Sequence, residues 1–312
     1  MALIEVQNLV KRYGELLALD HFNLNIQEGE IFGLLGPNGS GKTTAINCIL
    51  ALLKFDKGDI RLFGKPMAPN AYDIKRNIGV VMQNVAVFEE LTVYENVDYF
   101  CALYVPERDK RRQLVQEAID FVGLQDFCKF YPRKLSGGLL RRLNIACGIA
   151  HKPRLIFLDE PTVAVDPQSR NNILEGIAQL NHEGATIVYT SHYMEEVEQL
   201  CTRIAIMDKG RTLATGTKEE LKAMINRGET VRIDLEGQPG EIVAKLRELP
   251  AVASAKLEDH RLVVRCKAGG QHNLVTILDA LRQWDVAFGR VFSELPTLND
   301  VFLEITGKEL RD

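Results

Sequence analysis

Gly36-Pro37-Asn38-Gly39-Ser40-Gly41-Lys42-Thr43-Thr44 is a run of residue types suited to one task, holding a polyphosphate. Glycines let the backbone curl with its N–H groups turned inward, where side chains would block the approach. Lys42 can reach the outer phosphates, and Thr43 can offer its hydroxyl to Mg²⁺. The run follows the apolar Ile31-Phe32-Gly33-Leu34-Leu35 and precedes the helix-like Ala45-Ile46-Asn47-Cys48-Ile49-Leu50. Strand, glycine loop and helix is the context such a loop requires, because the helix start adds the positive end of its dipole.

Other residues stand where strands should end. Asp159 closes the apolar Leu155-Ile156-Phe157-Leu158, and Glu160 follows directly. A carboxylate at the carboxyl end of such a strand can hold Mg²⁺ through water. Taken alone, the two could equally be ordinary strand-end acids. Gln83 follows the run Ile78-Gly79-Val80-Val81-Met82, and His192 follows Thr186-Ile187-Val188-Tyr189-Thr190-Ser191. Each could be polar termination of a strand or a contact to phosphate. Tyr13 could stack on a base through its ring face, or be a half-buried strand tyrosine. Ser136-Gly137-Gly138 precedes a helix-like run starting at Leu139. It is a second place where backbone can approach an anion closely.

In order, the glycine loop, Leu135-Ser136-Gly137-Gly138, the 155–161 segment ending in Asp159-Glu160-Pro161, Val165-Asp166 and Ser191-His192 resemble the ATP-binding-cassette (ABC) ATPases over residues 1–220. The resemblance implies ATP and Mg²⁺ at Gly36, Pro37, Asn38, Gly39, Ser40, Gly41, Lys42, Thr43 and Thr44, with Tyr13 on the adenine. It places Mg²⁺ near Thr43, Gln83 and Asp159. It makes Glu160 the residue that polarises the attacking water, with Gln83 touching the metal or that water. His192 would contact the γ-phosphate and position Glu160. Ser136, Gly137 and Gly138 would bind the γ-phosphate of nucleotide held by a second subunit. Two chains facing head to tail, as a homodimer or a cassette–cassette dimer, would then form two composite sites, glued by ATP and released by hydrolysis.

Two departures from the family pattern stand out. Leu139 replaces the glutamine that usually continues the signature, and Thr162-Val163-Ala164-Val165 precedes Asp166 where serine-glycine-leucine is usual. They bear on hydrolysis rate and dimer strength, not on fold.

The 312 residues are 46% hydrophobic and 26% charged, a globular profile with length for about two domains. The net charge of −4 carries no basic bias of the nucleic-acid-binding kind. The run Arg108-Asp109-Lys110-Arg111-Arg112 reads as the solvated start of a helix. Six scattered cysteines, mostly in apolar runs and with no CxxC pair, suit reduced thiols of a cytosolic protein. The N-terminus shows no signal-peptide pattern, and no apolar run approaches the ~20 residues that span a bilayer. A membrane role would therefore need another chain.

Residues 1–30 read as short strands, 4–9 and 22–26 alternating, and 31–82 as α/β core. Residues 88–150 form a mainly helical insert, and 154–215 return to alternating strands and helices, as in a parallel sheet. The expected fold class is therefore α/β, an ABC-type P-loop nucleotide-binding domain over 1–217 with a helical subdomain at about 88–150. Beyond it, 218–312 reads as a small α+β accessory domain of ferredoxin-like β-α-β-β-α-β order. In that domain 239–249 and 271–283 are helical, and a hairpin turns at Asp259-His260.

The tail at 297–307 resembles the end of cassette subunits from ABC-2 type exporters, the daunorubicin-resistance-like branch. That implies a cytoplasmic ATPase at the inner face of the membrane, driving a separate hydrophobic permease. A soluble non-transport ABC ATPase usually carries two cassettes or a coiled coil, neither present here. Importer tails tend to be all-β. A weakly hydrolysing, ATP-gated binding subunit is the third alternative, one that Leu139 keeps open.

Overall fold

The computed structural model describes residues 2–163, 165–225, 228–236, 241–259, 261–267 and 273–307. They fall into two compact units, Met1–Lys218 and Glu219–Gly307.

The first unit opens with a hairpin of β1 (Ala2–Tyr13) and β2 (Leu16–Gln27), turning at Gly14. Both strands are longer than alternation alone suggests. The pairing shifts register between Val6 and Leu9, where Asn8 takes φ 50°, and the bulge breaks the alternation while the ladder continues. Then come β3 (Ile31–Leu35), α1 (Lys42–Ile49), β4 (Lys57–Leu62), β5 (Lys65–Pro66), α2 (Tyr72–Lys75) and β6 (Ile78–Val81). The helical insert holds α3 (Val93–Ala102), α4 (Arg108–Phe121) and α5 (Gly137–Ile149). The unit continues with β7 (Leu155–Asp159), α6 (Pro167–His182), β8 (Thr186–Thr190), α7 (Met194–Leu200), β9 (Arg203–Asp208), β10 (Arg211–Gly216) and the start of α8 (Lys218–Met224).

One antiparallel sheet has the order β2-β1-β4-β5, and a second sheet the order β10-β9-β3-β8-β7-β6. In the second, all neighbours from β9 to β6 are parallel, and β10 is an antiparallel edge. Strands β3, β7 and β8 are buried at every position, which is why they read as unbroken apolar runs. A core containing Phe22, Phe32, Ile46 and Phe157 joins both sheets and α1. The insert has its own core of Val97, Val115, Ile119, Leu143 and Ala146. Within it Thr92 and Glu95 form a capping box on α3, and Arg111 at the start of α4 bonds Asp98 at 2.8 Å.

The second unit runs β11 (Thr230–Leu235), α9 (Ile242–Arg247), β12 (Val252–Glu258), β13 (Arg261–Cys266), α10 (Asn273–Gln283), β14 (Phe288–Glu294) and α11 (Leu298–Thr306). Its sheet is antiparallel in the order β12-β13-β11-β14. Val231, Ile233, Leu262 and Val264 meet Leu246, Ile277 and Leu281 in its core. The helix starts expected at 239–240 and 271–272, and His260 of the hairpin, lie outside the described residues. Five of the six cysteines are buried, Cys128 is half-buried, and none is bonded to another. Among the described residues no helix is long and apolar enough to cross a membrane.

Candidate functional site

Parallel strands bring their carboxyl ends to one edge of the sheet, where ligands of open α/β folds bind. Here β3, β8, β7 and β6 are consecutive neighbours, and their ends lead into Gly36, Ser191, Glu160 and Met82. Registers of Asp159 with Thr190 and of Leu158 with Val81 bring those ends level.

The glycine loop wraps the start of α1. A Cβ on Gly36 would lie 2.4 Å from Met207 O and from Ser40 Oγ, and Gly41 takes φ 105° beside Ala18 O. Only glycine fits either position. Lys42 is buried, and its Nζ donates to Gly36 O at 2.6 Å and Pro37 O at 3.3 Å. Burial pushes the Lys42 ammonium below the ordinary lysine range, and Glu160 and Asp159 pull it back up. Ser40 Oγ is buried without a hydrogen-bond partner. Thr43 Oγ1 stands 3.5 Å from Asp159 Oδ2, so two hard oxygen donors face each other beside the loop. Orphaned hydroxyl, crowded glycines and oxygen-only donors fit a phosphate chain with Mg²⁺.

A cavity of about 460 Å³ is lined by Tyr13, Leu16, Ala18, Asn38 to Thr44, Gln83 and Glu160. Tyr13 lies at its border, 47% exposed, with Lys11 Nζ 5.0 Å over its ring. Gln83 Nε2 donates to Glu160 Oε2 at 2.8 Å, and His192 Nδ1 lies 3.2 Å from Glu160 Oε1. One carboxylate thus gathers two of the strand-end residues singled out above. Glu160 itself takes φ 50°, a left-handed conformation rare outside glycine. Its N–H is held by Thr190 O at 3.1 Å and Thr190 Oγ1 at 3.0 Å, and the same hydroxyl donates to Asp159 Oδ1 at 2.5 Å.

Ser136, Gly137 and Gly138 do not line this cavity. They start α5, where Ser136 Oγ accepts from Leu139 N at 3.3 Å. Ser136 and Gly137 are exposed, while Gly138 faces Asp166 and Ser169 of α6. The Leu139 side chain packs against the core of the insert. After Pro161, Thr162 is buried and bonded to Glu196, Val165 is buried, and Asp166 caps α6; Ala164 lies outside the described residues.

Sequence reasoning missed three contributors. Thr190 had no motif to mark it beyond its place at a strand end. Arg141 and Glu196 sit among charged neighbours in helices, and only tertiary packing sets them apart as the buried ones.

Residues 19–163 match the ABC transporter family. The linearmycin resistance ATP-binding protein LnrL of Bacillus subtilis (strain 168) is 35% identical over 311 residues, 99% of this chain and 100% of that protein. The chain belongs to the ATP-binding proteins of the ABC transporters. The cassette is also 34% identical to the daunorubicin/doxorubicin resistance ATP-binding protein DrrA of Streptomyces peucetius, covering 99% of this chain and 94% of that one. It falls in that exporter-type branch. A dimeric structure of MJ0796, a bacterial ABC transporter cassette, superposes with TM-score 0.64 at 30% identity, over 69% of this chain and 98% of that one. A second MJ0796 dimer, in a post-hydrolysis state with ADP and Pi, gives TM-score 0.63 at 28% identity, over 69% of this chain and 98% of that one. The cassette is an ATPase whose substrate is ATP with Mg²⁺.

Proposed function

We propose that the cassette powers export through a separate membrane permease, with Glu160 as the residue that activates water. The observation carrying this reading is the Glu160 carboxylate, fixed between Gln83 and His192 in the cavity that Lys42 and Thr43 also line. The glycine-loop N–H groups and Lys42 take the phosphates, and Tyr13 takes the adenine. Thr43 and Asp159, with Gln83 beside them, would hold Mg²⁺, which when bound neutralises charge on the phosphates. Glu160 orients a water and accepts its proton as the water oxygen bonds to the γ-phosphorus and the bond to ADP breaks. His192 holds the carboxylate from the other side.

Exposure of Ser136 and Gly137 away from the cassette's own cavity suits contact with nucleotide on a second cassette. In this reading 1–217 is the motor, including the helical subdomain at about 88–150, and 218–312 an accessory domain. The relatives' names concern resistance to linearmycin and to daunorubicin, which favours an exporter working from the cytoplasmic face of the membrane. The test is turnover of the purified protein with MgATP. Lys42→Ala should abolish productive ATP binding. Glu160→Gln should keep binding and slow hydrolysis by roughly 10²–10⁴-fold, the usual worth of a positioned base. Normal turnover in either variant contradicts the reading.

A further inference from the structure

Arg141 lies in the second turn of α5, the helix that Ser136 caps, and is 4% exposed. A guanidinium offers five N–H donors in a fixed fork and accepts nothing. Here five backbone carbonyls receive them. Nε donates to Pro161 O at 2.9 Å, Nη1 to Met82 O at 3.0 Å and Gln83 O at 2.7 Å. Nη2 donates to Asp159 O at 3.2 Å and to Glu160 O. A buried guanidinium is tolerated only when its donors are satisfied, and in this cassette backbone alone satisfies them.

Those carbonyls belong to two segments, the one after β6 that carries Gln83 and the one from the last residue of β7 onward that carries Glu160. One side chain therefore ties both to the helix that begins at Ser136-Gly137. Strained backbone persists only where its surroundings over-determine it. At Glu160 (φ 50°) Thr190 holds the N–H and Arg141 the C=O. Lysine has three donors on a flexible stem and cannot reproduce the fork.

We propose that Arg141 is a positioning residue for ATP hydrolysis, setting the backbones of Gln83 and Glu160 so that their side chains meet, and linking that pair to the signature helix. The proposal rests on Glu160 as the water-activating residue. Its consequence is that any shift of α5, as when Ser136-Gly137-Gly138 grip nucleotide, reaches the catalytic carboxylate of the same chain.

The test compares the full chain as wild type, Arg141→Lys, Glu160→Gln and the double variant. The measurements are single-turnover hydrolysis, MgATP affinity by fluorescent-nucleotide displacement, and thermal melting. Arg141→Lys should lower the rate by roughly 10–10²-fold, the scale of a small misplacement of a catalytic group. Its MgATP affinity should stay within about threefold of wild type, because no Arg141 contact goes to the glycine loop. On the Glu160→Gln background the same change should cost less than about threefold, since residues acting as a unit are not additive. Three results would overturn the proposal: an undiminished rate, an equal fractional loss on both backgrounds, or loss of folding or MgATP binding, which makes Arg141 a structural tie. Wild-type turnover in Glu160→Gln alone would instead overturn the reading beneath it.

Discussion

Glu196→Gln should destabilise the cassette by about 3 kcal/mol, because a buried carboxylate that accepts three hydrogen bonds loses its charge. Glu196 is 3% exposed, on α7. Its Oε2 accepts from Thr162 Oγ1 at 2.9 Å, Tyr189 OH at 2.7 Å and Ser191 Oγ at 2.7 Å. Its Oε1 lies 3.4 Å from Arg170 Nε, and the Arg170 guanidinium is 4.3 Å from the Tyr193 ring. Hydrogen bonds to a charged acceptor are worth about 1.5–3 kcal/mol net, against about 0.5–1.5 for neutral ones. The amide therefore weakens three bonds by about 1 kcal/mol each, while the Arg170 side chain, 28% exposed, keeps solvent for its charge and adds little. Shape is kept, so no cavity contributes. The assay is urea unfolding with linear extrapolation, at matched slope. Hydrolysis should fall too, because Thr162 and Ser191 lie next to the Glu160 and His192 segments. A loss below about 1 kcal/mol would refute the reasoning, since the network would then be worth no more than one ordinary neutral hydrogen bond.

Acid should find His151, which stacks on Tyr104 at 3.9 Å and whose Nε2 lies 3.2 Å from Ile78 O. Burial pushes its imidazole down from 6.5 to about 4, so it folds neutral and the unfolded chain takes the extra proton. Stability is full above pH 6.5 and drops toward pH 4 by up to about 1.4 kcal/mol per pH unit; His151→Phe should flatten that window in urea melts, and unchanged slopes would contradict it. Leu139→Gln should change turnover by less than about tenfold and cost roughly 1–2 kcal/mol, because it puts an amide against the core of the insert; a gain far beyond that in steady-state ATPase would mean the wild type is a gated binding subunit. Deleting 218–312 should leave an ATPase whose melting is cooperative, since every proposed site residue precedes the cut; a truncated chain that fails to fold would contradict the domain division.

The residues of the glycine loop are legible because their meaning is local: a backbone that must curl around phosphate dictates glycine at fixed spacing. The ends of β6, β7 and β8 are legible for a similar reason, as apolar runs that stop at Gln83, Asp159 and His192. What spacing does not carry is distance. The ordered motifs imply by resemblance that His192 positions Glu160, but spacing alone does not give the direct Gln83 contact to that carboxylate; the parallel register of β6, β7 and β8 brings the three ends level. Arg141 and Arg142 are neighbours of one type, and only the rotation of α5 buries the first and leaves the second reaching Ser169. The length of β1 is hidden by its own bulge at Asn8, which breaks the alternation a strand is recognised by. Leu139 reads in the sequence as a change in the signature that Ser136-Gly137-Gly138 begins, whereas its side chain belongs to the packing of the insert.

In the proposed cycle two cassettes close head to tail around ATP, and Glu160 opens them by driving hydrolysis. Light scattering on size exclusion of Glu160→Gln, with and without MgATP, tests it most directly. The variant should run as a stable dimer with MgATP and as a smaller species without it, whereas wild type should form the dimer only transiently. A variant that binds MgATP yet stays monomeric would contradict the composite site and the role of Ser136-Gly137-Gly138 in it.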